Sequence, residues 1–317
     1  MFRTNTLFLV YALVVSFVAT GCTPKDPLPP GSHYASSNIN VPFIPPRSEL
    51  CGSTSIEMVS SYWRSKMSYI PQLSVDELDG LTLIPEKGGT LQIELVSAAR
   101  ANGLIVYPLE PTFEALFSEL SEYHPVIVLV NRSFSWHPLW HYAPVIGFDG
   151  EKRTILSHFS DQQNEPINIG TFAALWKRSN NWGVVLLPPG ELPASASSKI
   201  FLRAVYEFEK TGKIREAVLS YKSASLRWPE DTDILFALAN AYYNLSNLSE
   251  AEENYRKLLA IKPSYPLAVN NLAVLLCHTG RSNEALSVLE KAMTNDTEIQ
   301  SILNTTREEI RKGCNPL

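Results

Sequence analysis

The sequence predicts two folded units in one chain: an α+β domain over residues 41–192, then an all-α solenoid of helical hairpins over 198–297. Three observations carry this expectation. Pro125-Val126-Ile127-Val128-Leu129-Val130 is a continuous apolar run, which suits a strand buried on both faces. Asp149-Gly150 separates two apolar segments, His141 to Phe148 and Arg153 to Leu156, and marks a hairpin. From Ser198 onward, small and aromatic residues recur at an interval of 34 residues, the mark of stacked repeats.

Composition sets the bounds. A chain of 317 residues is long enough to bury two cores. Its 45% apolar and 19% charged content belongs to folded rather than disordered proteins. A net charge of −5 with no basic block argues against a nucleic-acid partner. No Gly-x-Ser-x-Gly elbow or dinucleotide fingerprint occurs, and no lysine-serine follows Gly88-Gly89, so no cofactor is expected.

The N-terminus reads as a targeting segment. Arg3 is a short positive region, and Leu7 to Val18 is an apolar run too short to span a bilayer. Ala19-Thr20-Gly21-Cys22 then reads as a bacterial lipobox, with residues 1–21 removed and Cys22 acylated to hold the protein on a lipid bilayer. Thr23 rather than aspartate follows, which for a Gram-negative host points to an outer-membrane lipoprotein facing the periplasm. Residues 22–40 are rich in proline, serine and asparagine and are expected to be a flexible tether.

The α+β domain opens on an extended run, Val41 to Pro46, that delivers Cys51 to the start of an apolar, helix-like segment, Ser53 to Trp63. A loop with a short helix at Ser74 to Leu78 follows, then a turn at Gly88-Gly89-Thr90. Leu91 to Asn102 is an amphipathic helix with Leu91, Leu95, Ala98 and Ala99 on one face, closed by Gly103. Leu104 to Tyr107 reads as a strand, Thr112 to Glu122 as a helix, Phe172 to Lys177 as a short helix and Gly183 to Leu187 as the last strand. Helices leading an antiparallel sheet define the class.

In the second unit Gly212, Ala217, Tyr221, Ala224 and Pro229 hold the signature positions of a tetratricopeptide repeat. One period on stand Ser246, Ala251, Tyr255, Leu258 and Pro263, and a further period on stand Gly280, Ala285, Leu289, Ala292 and Thr297. Residues 298–317 supply a capping helix and tail. Such repeats bind peptides or proteins on a concave face, so a protein partner is expected there. Cys277 lies near the end of one repeat helix, and one period on is Arg311, a turn before Cys314. Equivalent helices run parallel, but neighbouring axes lie about 8–10 Å apart and a bridge needs Cα atoms within roughly 7 Å. Spacing alone leaves open whether these thiols pair.

The chemistry is expected at Cys51 and His141. A thiol at a helix N-terminus is stabilised as thiolate by unpaired backbone N–H groups. Cysteine first and histidine about ninety residues later is the chain order of papain-like cysteine peptidases. His137 and His141 are four apart, but Pro138 interrupts the strand and no carboxylate or cysteine lies close by, so no metal is expected. His124 and His158 read as surface residues.

Val41-Pro42-Phe43 to Cys51-Gly52, Gly88-Gly89-Thr90-Leu91-Gln92 and Trp140-His141-Tyr142 together resemble the bacterial lipoprotein branch of the peptidases that cleave double-glycine leaders from bacteriocins. The resemblance covers residues 41–190, and many members of that branch carry helical repeats behind the peptidase domain. It implies a papain-like cysteine peptidase domain hydrolysing a peptide or related amide, with Cys51 as nucleophile, His141 as base and the Cys51 backbone amide at the oxyanion. The family's oxyanion glutamine falls at Pro46, which has no side-chain amide and no N–H. The family's imidazole-orienting aspartate falls at Ser157-His158, with Asp161 slightly beyond. These departures keep a second reading in play, a peptidase fold that binds without turnover as an envelope scaffold.

Overall fold

The computed structural model describes residues 25–29, 34–45, 47, 50–67, 73–134, 136–159, 162–292 and 294–314. The strands are β1 (Ser37–Asn38), β2 (Ile105–Pro108), β3 (Val126–Asn131), β4 (Trp140–Asp149), β5 (Thr154–Ser157), β6 (Glu165–Asn168) and β7 (Gly183–Leu187). They form one antiparallel sheet in the order β2-β7-β3-β4-β5-β6, with β1 added to the far end of β4. The all-apolar run of β3 is buried at every residue, because β4 and β7 flank it and helices cover it.

Helix α1 (Cys51–Lys66) packs on β4 and β7, and the Trp63 indole N–H donates to the Leu186 carbonyl at 2.8 Å. Helix α2 (Val75–Thr82) runs further than the sequence suggested. Ser74 and Glu77 form a reciprocal capping box that secures its start. Helix α3 (Gln92–Ala101) follows a turn in which Gly88 takes a left-handed conformation. Helices α4 (Phe113–Ser121) and α5 (Ile169–Lys177) pack on the sheet through Phe113, Phe117, Phe172 and Trp176.

The segment expected to be a free tether is docked over its described part. Leu28 and Ile39 are buried, Asp26 pairs with Arg153, and Tyr34 packs tilted against Phe117 and edge-on to Phe148. Two glycines make room for it. A Cβ on Gly147 would lie 2.2 Å from the Ser37 carbonyl oxygen, and one on Gly150 would lie 2.1 Å from that of Tyr34. Leu28, Tyr34 and Ile39 escape a compositional reading, yet each packs in or against the core.

The C-terminal unit is three helical hairpins and a cap: α6 (Ser198–Glu209) with α7 (Ile214–Arg227), α8 (Thr232–Asn244) with α9 (Leu248–Ile261), α10 (Pro266–His278) with α11 (Ser282–Leu289), then α12 (Thr297–Lys312). Ala217, Ala251 and Ala285 are fully buried where helices cross, as are Tyr221, Tyr255 and Leu289. Gly212, Ser246 and Gly280, one period apart, all adopt positive φ in the turn between paired helices. The first hairpin does not stand apart. Phe201, Val205, Phe208 and Tyr221 belong to the core of the α+β domain, and a second core runs from α8 to α12.

A disulfide joins Cys277 to Cys314, with Cα atoms 5.6 Å apart, and ties α12 back onto α10. Closing a loop of this length contributes about 4 kcal/mol in the chain-entropy account. Reduction is therefore expected to loosen the cap first, with earlier protease cutting around α12. Intact-mass analysis after alkylation without reductant checks the bridge; two alkylated cysteines at 277 and 314 would refute it.

Candidate active site

Cys51 is the first residue of α1, a free and half-buried cysteine. Leu50, the N-cap, contributes no side-chain hydrogen bond, so the N–H groups of the first turn remain available. The backbone N–H dipoles of Tyr142, then of Cys51 and Gly52, favour the thiolate. Burial nevertheless dominates and pushes the thiol above its ordinary value, against the pull of those three amides. At neutral pH the resting group is a thiol.

Gly52 is where two sequence motifs become one packing unit. A Cβ there would lie 2.6–2.9 Å from the Thr90 side chain, so only glycine lets the Gly88-Gly89-Thr90 turn close over the start of α1. Thr90 Oγ1 and Glu94 Oε2, at the start of α3, are buried without a hydrogen-bond partner among the described residues. The Tyr142 hydroxyl, raised above its ordinary range by burial, lies within electrostatic reach of both Cys51 and Glu94.

His141 sits on β4 opposite Val130. Its ring stands edge-on to the Phe159 ring at 5.8 Å. The Arg132 guanidinium lies 5.4 Å from that same ring. Burial, then the Arg132 charge, lowers the His141 pKa to about 4, although the Phe159 carbonyl opposes the shift. The imidazole is neutral at physiological pH and free to accept a proton. Among the described residues no hydrogen bond joins its ring to Cys51, although the Tyr142 amide next to His141 favours the Cys51 thiolate.

The other residues singled out by sequence fall as follows. Ser157 is fully buried and donates to the Pro144 carbonyl at 2.7 Å, so its hydroxyl is committed to holding β5 on β4 rather than to His141. His158 is buried as well, its ring 3.0 Å from the Val41 carbonyl, and is not the surface residue expected. His124 is likewise buried, 2.7 Å from Glu119. Cys22, Pro46 and Asp161 lie outside the described residues. The Phe159 ring, which does stand against the imidazole, has no motif by which sequence reading would find it.

Beside His141 the β3–β4 connection carries Phe134, Trp136, Leu139 and Trp140, all well exposed. Its base is held by the Asn131 side chain, which accepts from the Ser133 and Leu139 amides, and by Arg178, which donates to the Asn131 and Ser133 carbonyls. An apolar surface thus borders the histidine.

Comparison with known proteins speaks to the other half of the chain. Models of the tetratricopeptide repeat match residues 202–266 and 268–294. The C-terminal unit consists of tetratricopeptide repeats. The tetratricopeptide repeat and J domain-containing co-chaperone DNJ1 of Fusarium oxysporum f. sp. lycopersici is 32% identical over 94 residues, which cover 30% of this chain and 18% of that protein. The chain thus spans less than a fifth of that relative's length. Among solved structures, the Yersinia enterocolitica type III secretion chaperone SycD with a peptide of the translocator YopD matches at 17% identity and a TM-score of 0.34, covering 37% of this chain and 95% of that one. The type IV pilus biogenesis factor PilW matches at 25% identity and a TM-score of 0.33, covering 36% and 52%. Tetratricopeptide repeats bind protein partners, and a protein-interaction role follows for this unit.

Proposed function

We propose that this protein is a papain-like cysteine peptidase, held by acylated Cys22 on the periplasmic side of an outer membrane, whose repeats recruit a protein substrate or partner. One observation carries the reading: Cys51 is the first residue of α1, and α1 packs on β4, the strand that carries His141 against the Phe159 ring. In this mechanism Sγ attacks the scissile carbonyl while the neutral His141 ring takes the thiol proton. The Cys51 backbone N–H, at the positive end of α1, receives the developing oxyanion. His141 returns the proton to the leaving amine, and water then attacks the thioester with His141 again as base.

The raised thiol favours the second reading, a peptidase fold that binds without turnover. A peptidyl epoxide separates the two, since its reaction needs both a reachable sulfur and a proton donor. Peptide mapping is expected to find stoichiometric label on Cys51 near neutral pH, and little label in His141→Gln. A folded wild type that stays unlabelled would move the binding role ahead. Anchoring has its own test: Cys22→Ser is expected to leave the protein unprocessed or shift it from the membrane to the soluble fraction. Unchanged processing and membrane retention would refute the lipid anchor.

A further inference from the structure

Three oxygens near Cys51 take no part in proton transfer between sulfur and imidazole. Ser55 lies one turn beyond Cys51 on the same side of α1 and is 1% exposed. Its Oγ is buried without a hydrogen-bond partner among the described residues. Thr90 Oγ1, packed against Gly52, and Glu94 Oε2, in the first turn of α3, are unpartnered in the same sense. Leaving such atoms unpaired is costly, most of all for a carboxylate. Groups of this kind mark places where something else supplies the partner. Cys51, Thr90 and Glu94 are each half-buried, at the surface rather than in the core.

Glu94 also forgoes the usual task of its position. Glu77, the third residue of α2, accepts from the Ser74 amide at 2.8 Å and closes a capping box. Glu94 is third in α3, yet no such box closes at Leu91. The arginines of adjoining elements are committed: Arg47 pairs with Asp79 at 2.8 Å and Glu57 at 3.6 Å, and Arg100 lies 4.0 Å from Glu207. Tyr142, next to His141 on β4, lies within electrostatic reach of Glu94 and Cys51 alike. A carboxylate flanked by hydroxyls suits a primary ammonium, which brings a positive charge and three N–H donors and accepts nothing.

We propose that Glu94, with the Thr90 hydroxyl, binds a primary ammonium of the substrate beside Cys51. The ammonium is either the free α-amine of the chain being cut or a lysine-type side chain. This names the substrate class of the Cys51 site and rests on the reading of that cysteine as nucleophile.

The first measurement reads charge preference at the sulfur and needs no turnover. Full-length wild type, Glu94→Gln and Thr90→Val are treated with aminoethyl, sulfonatoethyl and methyl methanethiosulfonate at low salt. Peptide mapping follows the rate of modification at Cys51, each rate being divided by that of free cysteine. In wild type the aminoethyl reagent is expected to outpace the methyl one by about tenfold, and the sulfonate to lag behind both. Glu94→Gln should abolish that preference, and Thr90→Val, which keeps the shape, should lower it about threefold. Peptidyl epoxides then separate the two sources: one with a free α-amine and norleucine, one acetylated with lysine, one acetylated with norleucine. Fastest labelling by the first assigns the chain terminus, and by the second a side chain. Either supports the proposal. No charge preference at Cys51, a preference unchanged in Glu94→Gln, equal labelling by all three epoxides, or a Cys51 that no reagent modifies would overturn it. If the preference is present and no epoxide labels Cys51, the peptidase reading falls and the ammonium site stands.

Discussion

Replacing Cys51 by alanine is expected to abolish peptide hydrolysis, and His141→Gln to lower kcat by at least about a thousandfold. The two effects should not add, because sulfur and imidazole act in one proton transfer. The pH profile separates this mechanism from one that starts from a thiolate–imidazolium pair. With the histidine pKa at about 4 and the thiol raised above its ordinary value, the resting pair is neutral on both sides. Below about pH 4 the imidazole is protonated and cannot act as base, so kcat/KM should fall there and hold level through neutrality. A limb near the ordinary histidine value would mean that the ring is not desolvated in solution. Ser157→Ala serves as the control. It removes a bond between β4 and β5, so it should lower Tm without changing kcat.

Glu119→Ala is expected to cost about 3–5 kcal/mol, the range for removing one partner from a buried charged network. Glu119 is fully buried on α4 and accepts from His124 at 2.7 Å, the Ala194 amide at 3.1 Å, the Ser195 amide at 2.9 Å and the Ser195 hydroxyl at 2.6 Å. Burial pushes its carboxyl up, but the bonds from His124, from the Ser195 hydroxyl and amide, and from the Ala194 amide outweigh it and hold the pKa below the usual carboxylate value. A depressed carboxylate adds stability that is fully present above its unfolded pKa and lost as pH falls through the lower folded one. Wild type should therefore lose stability on acidification below the ordinary glutamate range, and Glu119→Ala should lose less over that window. The bonds fix the linker between the two units, and the core of the first hairpin merges with that of the α+β domain. In the variant, protease sites near residues 194–197 are expected to open before the sheet melts. Denaturant titration and timed proteolysis measure both, and a variant within about 1 kcal/mol of wild type would refute the clamp.

The elements whose signals are local were legible from sequence. The apolar run of β3 and the Asp149-Gly150 turn are signals carried by neighbouring residues, and the 34-residue spacing repeats at the period of the hairpins it forms. Strand β6 was not anticipated, since Glu165-Pro166-Ile167-Asn168 has one buried residue and takes its place only by pairing with β5. Strand β1 is two residues long and exists because β4 offers it an edge.

Taken alone, the sequence determined the two classes of fold, the repeat register and the placing of Cys51 at a helix start, because propensity and periodicity act over a few turns or a few residues. Tertiary structure decided which groups meet. The imidazole stands against the Phe159 ring, eighteen residues on, a contact that no motif announces. Glu119 finds its partners at His124 and some seventy-five residues on, and Asp26 finds Arg153 across 127. The 34-residue spacing does not by itself pair Cys277 with Cys314; the fold does, by bringing their Cα atoms to 5.6 Å. Such pairings are set by how the chain folds back on itself, and local composition carries no record of that distance.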